Sequence, residues 1–194
     1  LRAFSLIPSV DRPLILDAGC GTGVPSLAVI EECNGIIYAV DTDLPSIKRF
    51  RKRVEELDLD DRIRIFHDSI LKQGLFTFHF DIILAEGLLN VTGFERGLDV
   101  LSGYLKAGGY MLIHDELKND SGKRKYFKEN NLELTGTFVL DEKVWWNEYF
   151  ACLESSIKKL APDKSVQEEM EEIDRCRRNP EENRSVYYIL KKAC

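Results

Sequence analysis

The segment L-I-L-D-A-G-C-G-T-G, Leu14 to Gly23, holds the residue types and spacing best suited to chemistry. An apolar run ends at an acid, Asp17, and glycines follow at alternate positions, Gly19, Gly21 and Gly23. This is the pattern of a strand that turns tightly into a helix. The loop N–H groups and the helix N-terminus then point into the crevice where open α/β sheets bind ligands. Glycine has no side chain, so a ligand can approach the backbone closely. The spacing argues against two phosphate chemistries. A dinucleotide loop reads G-x-G-x-x-G, whereas position 24 is valine, and the G-K-[ST] of a phosphate loop is absent. A carboxylate just before the loop would repel a pyrophosphate and suits a ligand with a positive charge. Asp41 closes Y-A-V-D one βαβ unit later, where an acid can accept hydrogen bonds from both ribose hydroxyls. Loop and acid together describe a nucleoside site with no need for phosphate. Cys20 reads as a small filler in this loop, not a nucleophile.

A second group is His114-Asp115-Glu116, three proton-handling residues expected at one rim after a strand. His114 is the first candidate for a general base and Glu116 the second. The competing reading is a helix N-cap followed by acids that the helix dipole favours. The stretch Val144–Phe150 (V-W-W-N-E-Y-F) puts Trp145 and Tyr149 on one helical face. That pair can wall a pocket by stacking or cation–π contact, or pack in the core.

Short apolar runs alternate with helical patterns up to about residue 130, which signals βαβ units around a parallel sheet. Strands are expected over Pro13–Asp17, Ile36–Asp41, Arg62–His67, Phe80–Ala85 and Tyr110–His114. The first helix runs from Pro25 to about Glu32, with Leu27 and Ile30 facing inward and Val24 a third candidate. Helices follow over Leu44–Leu57 and Phe94–Leu105, the latter stopped by Gly108-Gly109. Beyond these come a helix at Lys123–Asn130, a strand at Leu132–Leu140, helices at Glu142–Leu160 and Lys164–Arg178, and a last strand at Ser185–Lys191. Asp81 reads as ordering the start of its strand.

The 194 residues fit a single domain with a helical insertion over 142–183. A net charge of −6 without a long basic run disfavours nucleic acid. The nearest basic patch, Lys123, Arg124, Lys125 and Lys128, reads as a solvated helix face. No apolar run approaches the ~20 residues of a membrane span, so no membrane partner is expected. No signal peptide opens the sequence, and the initial leucine implies that the natural N-terminus lies upstream. Five cysteines without a C-x-x-C pair argue against a disulfide framework or zinc site, and no metal is expected. Reduced thiols and a cytoplasmic location follow.

The ordered series D-A-G-C-G-T-G, Val40-Asp41, Asp68, Phe80-Asp81 and L-K-A-G-G-Y-M-L-I resembles the class I S-adenosylmethionine (AdoMet)-dependent methyltransferases over Leu14–Asp115. The resemblance implies a Rossmann-like, doubly wound α/β fold. Its sheet is mostly parallel and seven-stranded, with the last strand antiparallel and a helical insertion before it. The cofactor would be S-adenosyl-L-methionine. By the same resemblance Asp17, Gly19, Cys20, Gly21 and Gly23 would line its methionine part. Asp41 would hold the ribose with Thr42 and Asp43 beside it, Asp68 and Ser69 would flank the adenine, and Glu86 would face cofactor and substrate. Where amino-methylating enzymes for adenine and glutamine carry N-P-P-Y-like residues, this chain reads Ala85-Glu86-Gly87-Leu88. A Pro-Cys nucleophile is also missing there. By elimination the acceptor is a small molecule. The alternative is a non-catalytic protein of the same fold that binds a partner or senses the cofactor. An aminopropyl transferase ranks below both.

Overall fold

The computed structural model describes residues 1–140, 170, 173, 174, 177, 178 and 184–194. After a short 3-10 turn at Phe4–Leu6 the elements alternate. They run β1 (Leu14–Ala18), α1 (Val24–Glu31), β2 (Ile36–Asp41), α2 (Leu44–Glu56), β3 (Ile63–His67) and β4 (Phe80–Glu86). Then come α3 (Leu89–Thr92), α4 (Phe94–Tyr104), β5 (Leu105–Glu116), α5 (Asp120–Glu129), β6 (Leu132–Leu140) and β7 (Ser185–Lys192).

The seven strands form one sheet in the order β3-β2-β1-β4-β5-β7-β6, with β7 antiparallel. Strand order reverses between β1 and β4, and such a switch point opens a crevice at the strands' C-terminal ends. The central strands are apolar because both sheet faces are covered. Ile15, Leu16, Ile37, Ile82, Ile83, Met111 and Ile113 are all at most 1% exposed. Helix α2 lays Ile47, Phe50 and Val54 on the sheet and begins where the Asp43 carboxylate accepts the Ser46 N–H at 3.2 Å. Pro25 occupies the first turn of α1, but Val24 beside it is 60% exposed and not part of the inner face. Asp81 orders the start of the sheet as expected. Its carboxylate accepts the Leu14 N–H at 2.9 Å and pairs with Lys106 at 2.8 Å.

Two sequence expectations fail for identifiable reasons. Gly108-Gly109 does not stop α4, which ends at Tyr104 and passes directly into β5. The glycines sit inside β5 where its register with β4 shifts between Phe80 and Ile82. A β-carbon at Gly109 would lie 2.9 Å from the Asp81 carbonyl, so the pair marks a bulge and a close strand approach. The basic patch is not uniformly solvated either. Lys123 is buried and pairs with the buried Asp115 at 2.7 Å.

The chain divides into two compact units, Leu1–Asp115 with Asn119–Thr137 and Tyr187–Cys194, and Glu116–Lys118 with Phe138–Val186. In the second, the Leu117 N–H donates to the Arg184 carbonyl at 3.0 Å, and residues 170, 173, 174, 177 and 178 are helical. The remainder of the expected insertion helices, with Trp145 and Tyr149, lies outside the described residues. Among the described residues no helix is long and apolar enough to cross a membrane, and no cluster of metal-ligating side chains occurs.

Candidate functional site

After β1 the backbone turns through Gly19, Gly21 and Gly23 at φ of +74°, +51° and +77°. The expectation that the loop N–H groups face a ligand is not met. Those of Gly19 and Cys20 donate to the Val40 carbonyl at 2.8 and 3.1 Å, and that of Gly23 to the Cys20 carbonyl at 2.8 Å. The Gly21 N–H donates to Asp41 Oδ2 at 2.7 Å. The β1–β2 register sets Ala18 beside Val40, which carries the carbonyl under the turn. With these four donors satisfied internally, they form no phosphate cradle of the kind a helix N-terminus offers.

Asp41 is consequently fixed rather than free. Oδ2 holds Gly21, and Oδ1 accepts the Asp43 N–H at 2.8 Å. A carboxylate has about four lone-pair sites, so each oxygen keeps one acceptor position for an incoming hydroxyl. A cavity of about 370 Å³ opens here, lined by Gly19, Asp41, Thr42, Asp68 and Ser69, with Gly87 and Leu88 closing it from the end of β4. Asp68 accepts the Ser69 N–H at 2.8 Å and an ion pair from Lys72. The Lys72 bond, then the Ser69 N–H, hold its carboxyl below the usual range. A larger cavity of about 780 Å³ lies at the opposite end of the strands, against Pro13, Asn34 and the residues before β1. It contains none of the residues singled out above and only one carboxylate pair, Asp11 and Glu32. The smaller cavity is the one at the switch point, where open α/β sheets bind ligands.

Register puts a row of titratable groups on one sheet face. Asp17 pairs with Ala39 and Leu84, two residues before Asp41 and Glu86, and Glu86 pairs with His114. Partners in register, and residues two apart along a strand, share a face. Asp17 lies beneath the site, 1% exposed, with Oδ2 accepting the Ser26 hydroxyl at 2.6 Å. Burial above all, then the charges of Glu86 and Asp41, push its carboxyl up to about 7 against the Ser26 hydrogen bond. Burial likewise pushes the Cys20 thiol up, so it stays protonated, and the residue serves as a filler. Glu86 is pushed up by burial, opposed by the Tyr187 hydroxyl that donates to it at 3.0 Å. His114 stacks on Tyr187, and burial pulls its imidazole down, partly offset by Asp115. Asp115 itself points to the other face, into its ion pair with Lys123, and β5 continues through Glu116 without a helix cap. The three proton-handling residues therefore do not share a rim. Glu116 is exposed at the end of the strand.

Residues 15–109 match a family model described as a methyltransferase domain. The chain carries a class I methyltransferase domain. It is 25% identical over 141 residues to a ribosomal protein L11 methyltransferase of Agathobacter rectalis, covering 68% of this chain and 41% of that protein. The chain spans less than half the length of the curated relatives it matches. Solved structures share the fold at low identity. The [4+2]-cyclase SpnF superposes with a TM-score of 0.84 at 15% identity, over 99% of this chain and 78% of that one. A methyltransferase of Thiobacillus denitrificans, solved with S-adenosyl-L-homocysteine, gives 0.75 at 13% identity, over 96% and 87%.

In this methyltransferase domain five of the residues singled out from the sequence, Gly19, Asp41, Thr42, Asp68 and Ser69, line one cavity. Asp17, Cys20, Gly21, Gly23 and Glu86 do not line it. Sequence reasoning missed Leu88, whose side chain comes within 3.1 Å of where a β-carbon on Gly19 would stand, and Lys72 on Asp68. It also missed Tyr187. The pattern Y-Y in an edge-side strand offered a clue, because alternation sends one ring to the core and the other out.

Proposed function

We propose that the chain is an AdoMet-dependent methyltransferase acting on a small-molecule acceptor. The observation that carries the reading is Asp41, locked by two backbone donors at the mouth of a cavity beside a loop whose Gly19, Cys20, Gly21 and Gly23 amides are already paired within the chain. A nucleoside lacking phosphate suits that donor set. Asp41 would take the ribose hydroxyls, with Thr42 beside it, and Asp68 and Ser69 the adenine edge. The acid row of Asp41, Asp17 and Glu86 would favour the cofactor's positive charges. When bound, AdoMet would supply an activated methyl group on cationic sulfur, the carbon–sulfur electron pair remaining with sulfur on transfer. The chain's own work is to align the acceptor and take its proton. His114 is the first choice for that role because its imidazole is held neutral, and Glu116 is the second. Residues 142–183, with Trp145 and Tyr149, would form the acceptor side.

Two tests apply together. Asp41→Ala removes a charged acceptor and releases Gly21, so S-adenosylhomocysteine binding is expected to weaken roughly 10- to 100-fold by calorimetry, the effect of one or two charged hydrogen bonds. Release of S-adenosylhomocysteine from AdoMet across a panel of small hydroxyl, amine and thiol compounds is expected to identify an acceptor. The fold is shared with a protein named a cyclase, which favours one second reading, cofactor binding without methyl transfer. Tight binding with no turnover across the panel would support that reading instead.

A further inference from the structure

Tyr187 is the third residue of β7 and reaches two neighbouring strands at once. Its ring lies parallel to the His114 imidazole, with centroids 4.4 Å apart and planes 10° apart. Its hydroxyl donates to Glu86 Oε1 at 3.0 Å. Because β4 and β5 pair Glu86 with His114 directly, one phenol clamps an acid and an imidazole that already stand side by side. The next residue, Tyr188, does the packing. It is fully buried and donates to Asp120 at 2.7 Å, which leaves Tyr187 half-buried on the opposite face.

The contact acts on both partners. A ring laid flat on imidazole excludes water from one side, which disfavours the imidazolium and fixes the plane of the ring. A hydroxyl donor to a carboxylate favours its charged form. The stack favours the neutral imidazole of His114, and the hydroxyl donor offsets part of the rise that burial imposes on the Glu86 carboxyl. Further charges near the pair include Asp115 on β5, turned to the other face and paired with Lys123, and the buried Asp17 on β1, whose carboxyl couples to Glu86.

We propose that Tyr187 is the positioning residue of the acceptor site, orienting the His114 imidazole as a base beside the Glu86 carboxyl. This rests on the methyltransferase reading and deepens it by naming the side chain that organises proton removal. Tyr187 acts through its two neighbours and is not itself a catalytic residue.

Two variants of the full chain separate its two contacts, read by NMR titration of the His114 ring and the Glu86 carboxyl carbon. Tyr187→Phe keeps the ring and loses the donor. Its Glu86 titration is expected to move to higher pH while that of His114 stays in place. Tyr187→Ala removes the ring as well, and the His114 titration is expected to rise towards the ordinary imidazole value. A merely structural residue would lower the melting temperature and leave both curves unmoved. Overlay of either the Glu86 curve in Tyr187→Phe or the His114 curve in Tyr187→Ala on the native one overturns the proposal. Should the alanine variant not fold, the phenylalanine variant decides alone. Calorimetry with S-adenosylhomocysteine keeps the two readings apart. Both variants leave Asp41 and its two backbone donors in place, so S-adenosylhomocysteine binding is expected to survive in both. A native chain that does not bind defeats the cofactor reading and leaves the titration result standing.

Discussion

Gly23→Ala is expected to cost the fold about 4 kcal/mol, combining overpacking with left-handed strain, a large share of a typical domain's stability. A β-carbon there would stand 2.1 Å from the ring of Phe50, far inside contact distance, and Phe50 is fully buried on α2. The φ of +77° adds strain for any residue with a side chain. Neither α1 nor α2 can retreat, because both pack their apolar faces on the sheet. Gly21→Ala is the matched control. Its φ is +51°, but no atom lies within 4 Å of the added carbon, so the loss is expected to be only about 1 kcal/mol. Urea unfolding of the two variants beside the native chain checks the contrast. Equal losses would mean that Phe50 does not stand against the loop. The consequence reaches the site, since a displaced turn also withdraws the Gly21 N–H that fixes Asp41.

Asp17→Asn is expected to remove a pH dependence of stability of up to about 4 kcal/mol, the value of a three-unit displacement of one carboxyl. Burial raises the folded carboxyl from 3.8 to about 7. Between those values the folded chain holds a proton that the unfolded chain has released. The stabilising contribution is therefore fully present below about pH 4 and lost as pH rises through about 7. The amide variant carries no charge to bury and can still accept the Ser26 hydroxyl. Compared with the native chain, it should gain stability progressively from pH 4 to pH 8 in paired urea titrations. A difference that stays constant over that range would show that the acid is solvated in the folded state.

Much of the architecture was legible because the sequence obeys the two periodicities that backbone geometry imposes. The bounds of β2 and β6 agree with the pattern at both ends, and α2 follows its Ile47, Phe50 and Val54 stripe. The misreadings have a common origin in glycine and in pairing. Gly108-Gly109 is ambiguous locally, since a helix stop and a strand bulge both use glycine; only the Asp81 carbonyl on the neighbouring strand distinguishes them. The sequence alone points the loop amides at a ligand, because the acceptors of three of them, Val40 for Gly19 and Cys20 and Asp41 for Gly21, are distant in sequence and arrive by strand register. The sequence places His114, Asp115 and Glu116 at one rim after a strand, whereas β5 runs on through Glu116, and a strand sends neighbours to opposite faces and delivers Asp115 to Lys123. Tyr187 went unnoticed because its partners, His114 and Glu86, come from β5 and β4. Asp41 was the easiest residue to assign, since its position after one βαβ unit is fixed by local chain geometry.

Isothermal titration of the chain with S-adenosylhomocysteine, run beside ADP and NAD, tests the phosphate-free nucleoside site most directly. One equivalent of S-adenosylhomocysteine is expected to bind with a dissociation constant on the order of micromolar, with no heat from either phosphate ligand. Binding of ADP or NAD, or silence from S-adenosylhomocysteine at roughly millimolar concentration, would contradict it.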